Sequence, residues 1–206
     1  MIVKTLAVGA LETNCYIVGC EKTKQAAVID PGDEADRILA AVREAGLKVT
    51  HVLLTHAHFD HIGAVDEVVK ASGAPLALHP DDLPLLQAGG GALLFDFQPP
   101  PIPAAVNSLT AGQEIGVGEL TLRVLHTPGH SRGHVTFYVP AEGALFDGDV
   151  LFAGGIGRTD LPGGSFEVLM RSISEQLMTL PDDTAVYPGH GPATTIGRER
   201  RSNPWL

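Results

Sequence analysis

The chain has 206 residues with 14 basic and 24 acidic side chains, a formal charge of −10. That balance argues against a nucleic-acid partner, which would call for a basic face, and no apolar run approaches the roughly 20 residues of a membrane span. Apolar residues at 44% and charged ones at 18% supply a sizeable core and exclude a disordered or coiled-coil chain.

Near the N-terminus the apolar run from Leu6 to Leu11 is cut by Glu12. It is too short for an export signal, so a cytosolic location is expected. Cys15 and Cys20 form no CxxC pair and read as structural thiols. Val3–Val8, Tyr16–Val18 and Ala26–Ile29 are short β-rich runs separated by turn residues. Ile38, Leu39 and Val42 fall at helical spacing, predicting a helix near 34–45 that Gly46 stops. A strand over Val49–Thr55, a helix carrying Val65, Val68 and Val69, a strand over Pro75–Leu78 and a short helix over Asp81–Gln87 follow.

Residues 89–105 then read as a long loop with glycines at one end and prolines at the other, a kind of segment that often covers a site. Strands return at Ile115–Val117, Leu120–Leu125, Val135–Val139 and Ala144–Phe146. Phe166, Leu169, Met170, Ile173 and Leu177 trace an amphipathic helix that begins after Ser165 and ends before Pro181. A last strand, Thr184–Tyr187, leads into Pro188-Gly189-His190-Gly191. No linker splits the chain, so one α/β domain over 1–206 is expected.

Five of the nine histidines sit with aspartates at predicted strand ends. The densest group is His56-Ala57-His58-Phe59-Asp60-His61. Residues two apart on an extended segment point the same way, so His56 and His58 can grip one metal ion. The turn into a helix near His61 aims Asp60 and His61 elsewhere, and a helix N-terminus there would keep His61 neutral. Read alone, Asp60 is an ordinary helix cap. Downstream, three further strands end in glycine turns that present His130, Asp149 and His190. Nitrogen and carboxylate donors without thiolate suit zinc, iron or manganese, and no Gly-x-Ser-x-Gly elbow or P-loop offers another chemistry.

These motifs resemble the metallo-β-lactamase superfamily: His-x-His-x-Asp-His, followed by a distant His, Asp and His. Glu12-Thr13-Asn14-Cys15-Tyr16, Asp30-Pro31-Gly32, Thr127-Pro128-Gly129-His130-Ser131 and Gly157-Arg158-Thr159-Asp160 extend the likeness to the glyoxalase II-like branch. The resemblance implies an αββα four-layer sandwich, two mixed sheets with helices outside. It implies two divalent ions, zinc before iron or manganese. His56, His58 and His130 would hold one, Asp60, His61 and His190 the other, with Asp149 and a hydroxide bridging. Asp60 would also orient the hydroxide, and Arg158 matches a basic position that touches substrate, or else braces its loop through Asp160.

The implied activity is hydrolysis of a small acyl thioester such as S-lactoylglutathione, a small-molecule substrate, with neither nucleic acid nor membrane as partner. A mononuclear-iron persulfide dioxygenase using His56, His130 and Asp149, a lactonase and a non-catalytic metal-binding module are the alternatives. Glyoxalase II proper continues after its last histidine with Glu-Tyr and a glutathione-binding helical segment. Gly191-Pro192 stand here instead, so the metal chemistry carries over better than the glutathione contacts.

Overall fold

The computed structural model describes residues 1–206. The first sheet contains β1 (Ile2–Val8), β2 (Thr13–Gly19), β3 (Gln25–Ile29), β4 (Lys48–Leu53), β5 (Leu76–Leu78) and β6 (Asn107–Ser108), in that spatial order. β1, β2 and β3 run antiparallel and β3 to β6 parallel, so the sheet is mixed.

The second half supplies β7 (Glu114–Val117), β8 (Leu120–His126), β9 (Val135–Val139), β10 (Ala144–Gly148), a hairpin of β11 (Leu151–Phe152) and β12 (Gly155–Ile156), β13 (Ala185–Pro188) and β14 (Thr194–Thr195). Its sheet has the order β14-β13-β10-β9-β8-β7, with β10 and β13 parallel. Helices α1 (Ala35–Glu44), α2 (Phe59–Ile62), α3 (Val65–Ser72) and α4 (Leu83–Gln87) belong to the first half, and α5 (Phe166–Ser172) and α6 (Ile196–Ser202) to the second. No helix is long and apolar enough to cross a membrane.

Side-chain alternation builds the layers. Along β2, Cys15 and Ile17 pack against Ile38 of α1 and Val65 of α3, whereas Tyr16 and Val18 face Leu122 and Phe137 of the other sheet. Leu120, Leu122 and Val124 of β8 are buried while Thr121 and Arg123 between them are exposed. Each such leucine or valine contributes about 1.5–3 kcal/mol by leaving water. On the outer face of the second sheet, Leu145 and Val186 meet Leu169, Ile173 and Ile196. The architecture is an αββα sandwich.

A register shift in the β3–β4 pairing leaves Thr50 as a bulge, so Val49 and Val52 share a face although three residues apart. Two sequence expectations change in detail. Phe166 lies half exposed against Trp205 rather than in the core, and residues Gly89–Phe95 of the expected loop form tight 3₁₀ turns. β6, the β11–β12 hairpin, β14 and α6 are additions to the predicted elements.

Candidate metal centre

The C-terminal ends of β3, β4, β10 and β13, with the β8–β9 loop, meet on one rim of the sandwich. His56 and His58 follow β4, and His130 follows β8. Their ligand atoms lie within 4.8 Å of one another, as do those of Asp60, His61 and His190. Asp149 lies between the two sets: Oδ2 is 3.6 Å from His130 Nε2 and 3.7 Å from His190 Nε2, and Oδ1 is 3.6 Å from His61 Nε2. Two donors about 2.1 Å from one ion at a near-tetrahedral angle stand about 3.4 Å apart, so these separations suit shared ions.

Hydrogen bonds fix which ring nitrogen is bare. Thr55 Oγ1 donates to Asp30 Oδ2 at 2.6 Å, so it accepts from His56 Nδ1 at 3.0 Å. His61 Nδ1 donates to the same Asp30 oxygen at 3.0 Å, His130 Nδ1 to the Arg158 carbonyl at 2.8 Å, and His190 Nδ1 to the Leu11 carbonyl at 3.1 Å. In each of these four rings Nδ1 is tied off and Nε2 is the nitrogen turned toward the cluster, the arrangement that anchors metal-binding histidines. His58 presents Nδ1 instead, 2.8 Å from His130 Nε2. His56 Nε2, His61 Nε2 and Asp149 Oδ1 are buried without any hydrogen-bond partner. Buried polar atoms are rarely left so, and a cation is the partner these donors fit.

The electrostatics agree. Burial drives His56 far below its ordinary pKa and His58 to about 3, keeping both lone pairs free. Burial also opposes charge on His61, but the Asp60 and Asp149 carboxylates outweigh it and raise that ring to about 10. This corrects the expected helix effect: α2 is a single turn, and carboxylate charge, not the helix, governs His61. A metal cation would take the place of that proton.

Backbone geometry keeps the ligands close. A Cβ at Gly189 would overlap Asp149 Oδ1, so only glycine lets the His190 turn approach. β2 stitches that turn to the first sheet. Asn14 Nδ2 donates to the Pro188 and Gly191 carbonyls at 2.9 Å each, and Tyr16 Oη donates to Pro188 at 2.6 Å. Thr13 Oγ1 donates to Asp60 Oδ2 at 2.9 Å.

A family model described as the metallo-beta-lactamase superfamily matches residues 8–190. The chain belongs to this superfamily. It is 42% identical to the probable metallo-hydrolase YqgX of Bacillus subtilis, over 98% of this chain and 96% of that one. It is 38% identical to the hydroxyacylglutathione hydrolase GloC of Haemophilus influenzae, over 100% and 98%. Among solved structures it resembles the BLEG-1 B3 metallo-beta-lactamase (40% identity, TM-score 0.94, covering 100% and 99%). It also resembles TTHA1623 in a di-iron-bound form (45% identity, TM-score 0.89, covering 99% and 100%).

In this superfamily member the His/Asp metal-binding cluster opens onto a cleft that Arg158 also lines. Arg158 forks onto Asp160 through two bonds of 2.8 Å. His134 Nε2 accepts from the Asp149 backbone N–H at 3.1 Å, whereas His126 stacks on His79 and bonds the Arg132 carbonyl. His79 caps the turn at Asp81.

Sequence reading missed two residues. Asp30 orients His61 directly and His56 through Thr55. Asp82 accepts from Ala57 N at 3.1 Å, Ser131 Oγ at 2.7 Å and Gly133 N at 2.6 Å, tying the His56–His58 segment to the His130 loop. The signal for Asp30 was present, because Asp-Pro-Gly ends a strand parallel to the one before His56. Asp82 had none.

Proposed function

We propose that the chain is a metal-dependent hydrolase of a small acyl thioester, with S-lactoylglutathione as the model substrate, carried by one domain over residues 1–206. His56, His58 and His130 would hold one divalent ion and Asp60, His61 and His190 a second, with Asp149 between them. The observation that carries this reading is the set of four imidazoles whose far N–H groups are tied off, leaving Nε2 as the atom that faces three carboxylate oxygens. Divalent ions bound there supply Lewis acidity and lower the pKa of water from 15.7 toward about 7. Zinc, iron and manganese all suit these donors, and the di-iron form of a relative keeps iron in view.

The chain's own residues do the rest. Burial alone would raise the Asp60 carboxyl, but His61 and His190 hold it well below the usual carboxylate range, so it stays ionised. Its Oδ2, fixed by Thr13, faces the cleft and orients the attacking water. A thiolate with a pKa of about 8.5 departs without an acid at the leaving sulfur, which suits a site that offers none. Likeness to GloC supports the thioester reading. The proposed setting is the cytosol, with a small-molecule substrate and neither nucleic acid nor membrane as partner.

The test is elemental analysis of the purified protein beside thiol release from S-lactoylglutathione under argon, with iron removed and zinc or manganese supplied. Two ions per chain and released thiol support the proposal. One iron per chain, no thiol release, and oxygen uptake with glutathione persulfide would replace it with the mononuclear dioxygenase that uses His56, His130 and Asp149.

A further inference from the structure

The cleft beside the metal ligands has a volume of about 500 Å³, and its walls are mostly apolar. Phe95, Phe97, Phe152, Ile156 and Leu161 face the same space as His58, Asp60 and His130. The aromatic wall is built onto the ligand segment itself. Phe59, between His58 and Asp60, stacks on Phe97 with centroids 5.0 Å apart and packs against Phe95 at 5.5 Å. Gly90, at φ 68°, lies so close to the Phe59 and Ala57 backbone that a Cβ would overlap both. The loop bearing the two phenylalanines is therefore seated on α2.

Charge points the same way. Arg158 is the one lysine or arginine lining this cleft, and its guanidinium is paired with Asp160 in an exposed ion pair while lying 6.0 Å from the centre of the Phe95 ring. An anionic thiol carrier must compete with Asp160 for this single cation, and the chain as a whole is strongly acidic. Phe95 and Phe97 remain 39% and 42% exposed, next to Leu93 and Leu94 at 68% and 64%. An apolar patch of this kind beside a reactive centre marks a binding surface.

Resting on the thioester-hydrolase reading, we propose that the cleft selects its substrate by an uncharged apolar acyl group, medium-chain aliphatic or aromatic, seated against Phe95 and Phe97. The carrier contributes little. S-Lactoylglutathione is then still cleaved, but its hydroxylated acyl group turns over less efficiently than apolar ones, and each buried methylene improves kcat/KM by about fourfold until the cleft is full.

The test uses the metal-loaded protein and acetyl, lactoyl, butyryl, hexanoyl and benzoyl thioesters of glutathione and of the neutral N-acetylcysteamine. In parallel, calorimetry measures binding of the uncleavable thioethers S-methyl- and S-hexyl-N-acetylcysteamine. Expected are a rising acyl series on both carriers, S-hexyl tighter than S-methyl by at least tenfold, and a flattened series in Phe95→Ser/Phe97→Ser at unchanged metal content. Phe97→Leu, which keeps an apolar side chain, should retain most of the slope. Asp160→Asn should free Arg158 and improve the glutathione esters relative to the neutral ones.

Lactoyl matching or exceeding hexanoyl, equal binding of the two thioethers, or an unchanged slope in the double variant overturns the inference. Tight S-hexyl binding with no thioester cleaved leaves the apolar site standing and removes the hydrolase reading instead.

Discussion

Asp30→Asn is the sharpest probe of how the two ligand sets are coupled. The Asp30 side chain is fully buried and accepts from three donors, Thr55 N at 2.7 Å, Thr55 Oγ1 at 2.6 Å and His61 Nδ1 at 3.0 Å. An amide replaces one of its two oxygens by an N–H donor. If the NH₂ faces Thr55 N, a backbone donor is left unpaired. If it faces the other pair, His61 loses its acceptor and the Thr55 hydroxyl loses the acceptor for its own proton, although its two lone pairs still let it accept from His56 Nδ1.

Either way at least one buried donor is orphaned, a cost of about 1–3 kcal/mol in stability. Loss of such an orienting partner weakens metal binding by about 10–100-fold. Because Asp30 serves His61 directly and His56 only through Thr55, affinity should fall most at the Asp60–His61–His190 set and less at the His56–His58–His130 set. Chelator competition with metal counting, beside urea unfolding of the same variant, reads both numbers. Retention of wild-type affinity at both sets, or loss confined to the His56–His58–His130 set, would refute the argument.

Three other outcomes are expected. Asp149→Ala, which removes the carboxylate between the sets, should abolish activity and leave fewer than one tightly held ion per chain by elemental analysis. Asp82→Ala orphans three donors and should lower stability by about 3 kcal/mol or more in denaturant titrations, with metal affinity reduced at the His130 set. Glu199 is buried and accepts from Gly154 N at 2.8 Å and Asn203 Nδ2 at 3.0 Å, so its carboxylate pins the β11–β12 hairpin that carries Phe152 and Ile156. Glu199→Ala should raise KM in steady-state kinetics while metal content stays at its wild-type value.

The layered fold was legible where local pattern and tertiary position coincide. β8 alternates strictly because one face meets a sheet and the other meets water, and the helix after Ser165 shows its buried stripe because Leu169, Ile173 and Leu177 face one sheet. The ligand residues stood out because four crowd into one short segment after an apolar strand and the other three, His130, Asp149 and His190, each follow an apolar strand at a glycine turn. Elements defined by distant partners left no such trace. α6 is a seven-residue segment rich in arginine, held by Glu199 and by Arg200 donating to the Met178 and Leu180 carbonyls, and nothing in its own periodicity announces it. Asp82 reads as one acidic residue among turn formers, yet its acceptors serve segments 25 to 51 residues away. Phe166 matched the helical stripe, but it sits at the first turn of α5, half exposed against Trp205.

Each proposed ion would join residues from both halves of the chain, His56 and His58 to His130, and Asp60 and His61 to His190. Metal uptake would then be a cross-link between the two sheets as well as a source of reactivity. At a free concentration about a hundred times Kd, one ion adds about 2.7 kcal/mol to the folded state, and two add about 5.4 kcal/mol. Domains of this size hold together by only about 5–15 kcal/mol in all. Metal supply would therefore set how long the protein survives heat, denaturant and proteases, and a chelator would act on its lifetime as well as on its turnover.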